Sequence, residues 1–395
     1  MERFITERAG RADFEEIRRE SDLIFTCKTA EDGTVSFDEG YFCRLLPKLY
    51  GDGADTGKCH FITRDTERDG KIVAIVGVFE NSVTVFGEKI PYAGIGTVGV
   101  DPEYRGWGLM KSILGEALSY IEKSGAVFSY LGGLRQRYEH FGFAPGGVSA
   151  RFVLTNRNAD CVFGKGKTFG YVISPLSDGD TDSLSKIASL HGSLDISFER
   201  DRGHLYDVLT SWENVPRVIT KDGNFCGWCL TDGACNAVHE LVLLPHVPVS
   251  EVLCDLVRLS GAGHTVFYNV SFFDSEQYSC LSKISEDIII GNCGMYRIFD
   301  YPRFLSVLLS AKEKTEGLVD GKVSFLITDS DCAFTVTVKD GHGAVTLGAD
   351  ADAVKLDGLE AVRLFLGAGH CGVSVPPVLG QWFPISFRIS GADGV

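Results

Sequence analysis

A chain of 395 residues exceeds one ordinary domain and suits two or three, and at 44% hydrophobic and 23% charged it is neither disordered nor membranous. The net charge of −15 argues against a nucleic-acid partner, which needs a basic face, and is compatible with a cationic substrate. No apolar run nears the ~20 residues of a membrane helix, and MERFITERAG lacks the apolar stretch of a secretory signal, so a cytoplasmic protein with no membrane partner is expected. Twelve cysteines, scattered from Cys27 to Cys371, read as free thiols in a reducing compartment.

In the first segment, residues 1–150, Phe14 to Ser21 has helical spacing. Strand-like runs follow at KIVAIVGVF (71–79), SVTVF (82–86) and YAGIGTVGV (92–100), with turns expected at Glu80-Asn81 and Gly87-Glu88-Lys89. Met110, Ile113, Leu114, Ala117, Leu118 and Ile121 then fall on one face of a predicted helix. A strand over 126–133 and a short helix over LRQRYEHFG (134–142), closed by Gly142, complete the segment.

The second segment, residues 151–300, repeats the first. LVLLPHVPVSEVLCDLVRL parallels VGVDPEYRGWGLMKSIL: strand, proline, short loop, amphipathic helix, with Pro245 standing where Pro102 does. The glycines do not recur, and Pro248 has no N–H to offer a ligand, so this copy is expected to keep the fold without the cofactor chemistry. Cys226, Cys229, Cys235 and His239 have a zinc-like spacing. On a strand, residues three apart face opposite ways, so free cysteines and no metal are expected. The third segment, residues 301–395, alternates over 322–328 and 333–341, adds GAVTL (343–347) and a helix over LDGLEAVRLFLG (356–367), and predicts a small α+β domain.

The loop ahead of Met110 carries the chemistry. The first turn of a helix has N–H groups without intrahelical partners at the positive end of its dipole, so an anion there is stabilised twice. Gly106 and Gly108 remove the Cβ atoms that would hold an anion off the backbone, and Arg105 adds a charge-assisted contact. The stretch suits a phosphate or pyrophosphate. It is no dinucleotide fingerprint, because Lys111 stands where the third glycine is needed, and no Walker loop, because Met110 precedes Lys111-Ser112.

R-G-x-G directly after V-x-V-x-P-E-Y, in the order strands, glycine-mouthed helix, strand, short helix, resembles the acyl-coenzyme-A loop of the GNAT superfamily of N-acetyltransferases. More narrowly, GIGTVGVDPEYRGWGLM, the motif-less second copy and the strand-rich third segment resemble the three-domain acetyltransferases related to the mycobacterial enhanced-intracellular-survival protein. The resemblance is specific over 90–145 and loose beyond. It implies a mixed α/β fold: two tandem GNAT-type domains, the second degenerate, and a C-terminal α+β sterol-carrier-protein-like domain. It implies transfer of acetyl from acetyl-coenzyme A to a primary amine of a small molecule or peptide, without a metal, by a homo-oligomer.

By family position, Val98, Gly99 and Val100 would pair with the pantetheine arm. Arg105, Gly106, Trp107, Gly108, Leu109, Met110 and Lys111 would cradle the pyrophosphate, and Gly133 and Leu134 would touch the far side of the cofactor. Met110 departs from the family's usual Gly or Ala. Tyr138, in RQRYEHFGF, lies where these enzymes carry a catalytic tyrosine. A phenol with a pKa near ~10 is neutral and can donate to a thiolate. On chemistry alone it is equally a tyrosine packed beside Phe141 and Phe143. In the family the terminal carboxylate reaches back into the site, which makes that of Val395 a candidate base; water relayed to an Asp or Glu is the other candidate. The rival function is a non-catalytic acyl-coenzyme-A sensor or lipid-binding protein on the same scaffold.

Overall fold

The structure is a computed structural model and describes residues 3–30, 32, 34–369 and 376–395. It is mixed α/β, with two large sheets and a smaller α+β unit. The first sheet has eight strands. It begins with β1 (Phe4–Arg8), β2 (His60–Asp65), β3 (Lys71–Val85), β4 (Glu88–Val100) and β5 (Phe128–Leu131), adjacent in that order. Helix α1 (Phe14–Thr26) packs on one face and α2 (Leu109–Ser124) on the other. The apolar face of α2 buries Leu109, Ile113, Leu114, Ala117, Leu118 and Ile121, so the predicted stripe begins one residue early, with Met110 only half-buried. A positive φ of 82° at Gly125 closes the helix, where a side chain would be strained.

The turn expected at Glu80-Asn81 does not exist. β3 runs unbroken to Val85 because Glu80 and Asn81 keep their ladder partners, Ala93 and Tyr92. Asn81 is polar because its Nδ2 donates to the Glu199 carbonyl at 3.1 Å, outside the ladder. The β3–β4 hairpin turns at Phe86 and Gly87, where the second expected turn begins.

The second sheet has seven strands, and it repeats the middle of the first. Its β6 (Ala237–Leu243) and β7 (His264–Val270) are parallel neighbours joined through α3 (Val249–Leu259), as β4 and β5 are joined through α2. The segment boundaries are crossed in both directions. Val148–Thr155 lies in the second sheet, while Ile196–Phe198 pairs with β3 and Met295–Ile298 pairs with β5 in the first.

Cys226 and Cys229 correct one geometric expectation. Both face the same core, because the register slips between Ile219 and Thr220 and the bulge around Cys226 restores the facing three residues on. Buried among apolar side chains, they are free thiols, as is every described cysteine; Cys371 lies outside the described residues. Among the described residues no group of three His, Cys, Asp or Glu side chains is placed to hold a metal, and no helix is long and apolar enough to cross a membrane.

The third unit sets a four-stranded sheet beside the helices Tyr301–Thr315 and Gly358–Leu366. It shares one core with the first sheet: the Phe128 ring lies 5.3 Å from Phe304 and 5.4 Å from Phe387. The chain then returns along residues 385–395 between the two large sheets. Ser386 Oγ donates to the Val148 carbonyl at 2.8 Å, and the Tyr296 hydroxyl accepts from the Ile389 N–H at 3.2 Å.

Candidate active site

The site is a parting between strands. β4 and β5 pair only from Tyr92↔Phe128 to Ile95↔Leu131, and residues 96–100 have no ladder partner on that side. The cause lies in β4 itself. Its register against β3 slips between Ile75 and Gly77, where Thr97 takes a positive φ of 51°. A bulge of this kind bends the strand and frees backbone groups for another partner. Val98, Gly99 and Val100 lie half-buried along the freed edge. Gly99 is required by packing: a Cβ there would stand 2.5 Å from Ile24 of α1.

The chain then turns over Asp101. One carboxylate oxygen accepts from the Glu103 N–H at 2.9 Å and the other from Lys71 Nζ at 2.6 Å. Arg105, Gly106, Trp107 and Gly108 follow, all exposed, and Gly108 is the N-cap of α2. The reason for these glycines differs from the sequence expectation. A Cβ at either would meet nothing within 4 Å; φ values of +87° and +76° are what demand glycine. The space beside them is open, and the N–H groups of Leu109 and Met110 have no carbonyl behind them, while the Lys111 N–H donates to the Gly108 carbonyl at 3.1 Å. Arg105 and Lys111 are exposed and make no ion pair among the described residues. Leu109 points into the core and offers only its backbone, and Met110 is half-buried. Trp107, 58% exposed, is braced edge-on by Phe4 at 5.5 Å and by the Arg3 guanidinium at 5.1 Å.

Across the parting, Gly133 and Leu134 follow the end of β5. Leu134 is exposed, and Gly133 has a φ of +133°. The Tyr138 ring lies on Gly133, whose Cβ would stand 2.7 Å from it. Tyr138 is buried in the same core as Phe143, with Phe141 packed against that core; burial pushes its phenol up, with Arg137 opposing.

Val395 arrives from the other side. A Cβ on Gly94 would stand 2.6 Å from its side chain, and one on Gly96 would stand 3.0 Å from its carbonyl carbon. It therefore lies against β4 one turn of the ladder before Val98. Next to it, the buried Tyr50 hydroxyl bonds Thr97 Oγ1 at 2.5 Å and His60 Nε2 at 2.9 Å. Burial pulls His60 down to about 4, with the Thr56 carbonyl opposing, so the ring is neutral.

The anchors of this tail escaped the sequence reading. Lys48 Nζ donates to the carbonyls of Ala392 at 2.5 Å and Gly394 at 2.6 Å, and Trp212 Nε1 also donates to Gly394. Arg200 binds Asp393 and Glu240, each through two hydrogen bonds of 2.8–3.1 Å. Burial opposes charge on Glu240 and Arg200, and their mutual attraction outweighs it, holding Glu240 below the usual carboxylate range and Arg200 above its ordinary value. Arg200→Leu leaves two buried carboxylates unpaired, so calorimetric melting should show a loss of about 3–5 kcal/mol.

Residues 53–146 match the family model of the GNAT acetyltransferase domain. No curated protein matches the chain. Among solved structures, a GCN5-related N-acetyltransferase from Anabaena variabilis is similar over 100% of both chains, with a TM-score of 0.65 and 16% identity. Eis1 from Mycobacterium abscessus is similar over 98% of both chains, with a TM-score of 0.60 and 16% identity. A conserved protein of unknown function from Enterococcus faecalis is similar over 92% of this chain and 90% of its own, with a TM-score of 0.63 and 19% identity.

Proposed function

We propose, from the premise that this chain is a GNAT-type acyltransferase, that it moves acetyl from acetyl-coenzyme A to a primary amine of a small molecule or peptide. The observation that carries this reading is the parting of β4 from β5 after Ile95, with a glycine loop and a free helix N-terminus at its mouth. The residues present fit the coenzyme. The freed edge at Val98–Val100 suits the amides of the pantetheine arm. The N–H groups of residues 106–110 with the Arg105 and Lys111 side chains suit a diphosphate. Gly133 and Leu134 would close the far side. The coenzyme supplies the thioester.

In the reaction the amine nitrogen forms a bond to the thioester carbonyl carbon, and the C–S bond breaks. Backbone N–H groups along Val98–Val100 would polarise the carbonyl oxygen. One proton must leave the amine and one must reach the departing sulfur. Tyr138 is the proposed donor to sulfur: burial raises its phenol, which is neutral at pH 7 and can give its proton to a strongly basic thiolate. The terminal carboxylate of Val395 is the proposed acceptor for the amine proton. The acidic balance of −15 favours a cationic acceptor. The third unit, likened in sequence to a sterol carrier protein, contributes by delivering the tail to β4. A homo-oligomer in the cytoplasm is the expected working form.

The test is a thiol-release assay on acetyl-coenzyme A with a panel of primary amines. Tyr138→Phe should lower turnover by about 100-fold, within the range of general acid catalysis, with coenzyme affinity within twofold. Unchanged turnover in that variant removes Tyr138 from the mechanism. Absence of turnover with every amine, alongside tight coenzyme binding, would favour the sensor.

A further inference from the structure

β4 holds one residue in a conformation that its side chain opposes. Thr97 and Val98 together stand opposite Val76 of β3, and Thr97, the first residue of this bulge, has a φ of 51°. Glycine is the usual occupant of such a position, and a β-branched residue there is strained. The strand is not short of glycine. Gly94, Gly96 and Gly99 surround the bulge without a positive φ, at points where a Cβ would meet Val395 or Ile24. Where the backbone itself calls for glycine, the chain has threonine. Strain of this kind persists only where the surroundings enforce it.

What enforces it is a line of hydrogen bonds through the core. The Thr56 carbonyl can only accept, so His60 Nδ1 carries the ring hydrogen and donates to it at 2.9 Å. Nε2 is then the acceptor for the Tyr50 hydroxyl at 2.9 Å. That hydroxyl has no second hydrogen, so Thr97 Oγ1 donates to it. The carbonyl at the far end thus fixes every direction in the line. Its middle members are held by packing. Tyr50 and His60 are fully buried, with the Phe42 ring 5.2 Å from Tyr50 and the Phe79 ring 5.4 Å from His60. Tyr50 ends the short helix Pro47–Tyr50, whose Lys48 anchors the tail that carries Val395.

We propose that Tyr50, with His60 behind it, is a positioning residue: through Thr97 it fixes the peptide plane between Thr97 and Val98, and so the aim of the Val98 N–H at the thioester carbonyl. This rests on the acyl-transfer reading. The N–H lies in that plane, and the plane turns with the Thr97 backbone angles. A glycine at 97 would keep the bulge but leave the plane free to turn. A donor that is not preorganised stabilises less of the charge that develops on oxygen. One helical turn then serves both sides of the reaction, Lys48 by placing the terminal carboxylate and Tyr50 by aiming the N–H.

The test is Thr97→Gly, assayed by thiol release with the fastest primary amine of the panel at saturation, beside calorimetric titration of acetyl-coenzyme A and thermal melting. Glycine relieves the positive φ, so the variant should stay folded. Its kcat should fall by about 10-fold or more, toward the loss of one oxyanion donor, with coenzyme affinity within about threefold. Thr97→Ser keeps the hydroxyl and should return kcat to within about threefold of the parent. Tyr50→Phe should lower kcat by the same factor as Thr97→Gly, and the double variant should fall no further, since both break one line. Should Tyr50→Phe melt early, the two Thr97 variants decide alone. Parental kcat in Thr97→Gly, a Thr97→Ser chain as slow as Thr97→Gly, or losses that multiply in the double variant would each overturn the proposal and leave the acyl-transfer reading standing. A parent that binds no acetyl-coenzyme A, or turns over no amine, overturns both.

Discussion

A Gly108→Glu chain is expected to bind acetyl-coenzyme A at least about 100-fold more weakly than its parent, while its melting temperature falls by only a few degrees. Both halves follow from the loop. The φ of +76° at Gly108 costs an L-residue about 1 kcal/mol or so, a modest loss in a chain of this size. The new Cβ meets no protein atom within 4 Å, so the core is undisturbed. On the ligand side the change is severe. A carboxylate stands at the free end of α2, where an anion is to be held, and charge-assisted hydrogen bonds to that anion are worth about 1.5–3 kcal/mol each. Calorimetric titration of both chains checks this, with thermal melting as the control. Retained affinity in the variant would move the coenzyme away from this loop.

Lys48→Met is expected to lower turnover by about 10–100-fold and to leave coenzyme affinity unchanged. Lys48 touches nothing of the loop; its ammonium joins two tail carbonyls, those of Ala392 and Gly394, just before Val395. Without it one carbonyl is buried and unpaired, while Gly394 keeps only Trp212. The tail then samples positions off β4. Steady-state kinetics with a saturating amine would separate a fall in kcat from a rise in the coenzyme KM; a change confined to the latter contradicts the expectation. The same lysine carries a pH signature. Burial pulls it down to about 8 against the pull of Asp393, below the ~10.4 of an unfolded lysine. Between those values the folded chain binds fewer protons than the unfolded one, so this group's contribution to stability rises with pH across that window. Melting from pH 7.5 to 10 should show that increment in the parent and lack it in Lys48→Met.

The strand–loop–helix unit from Val98 to Ile121 was readable because its marks are local, a proline, two glycines and an apolar stripe at helical spacing, while the bulge at Thr97 and the positive φ angles that demand the glycines were not. The repeat was readable for the same reason, since Pro245 to Leu259 carries the same local order as Pro102 to Ser124. What stayed hidden is long-range. Lys48 meets residues 392 and 394, and Arg200 ties together residues 240 and 393; no spacing in a single sequence marks such pairs. The bulge that turns Cys226 to the side of Cys229 is equally invisible, since it depends on the partner strand's register. Glu80-Asn81 misled because polarity that serves a contact with residue 199 looks the same as polarity that serves a turn.

The strand Met295–Ile298 lies between β5 and Ala144–Pro145 in the first sheet. During synthesis the first-made half therefore leaves the ribosome with a vacant slot in its sheet. β5 keeps an open edge until residue 298 has emerged, and at about 5–20 residues per second that delay lasts about 8–33 seconds. The half that carries the glycine loop is translated first and finished late, so a fragment stopped near residue 150 should be recovered as aggregate.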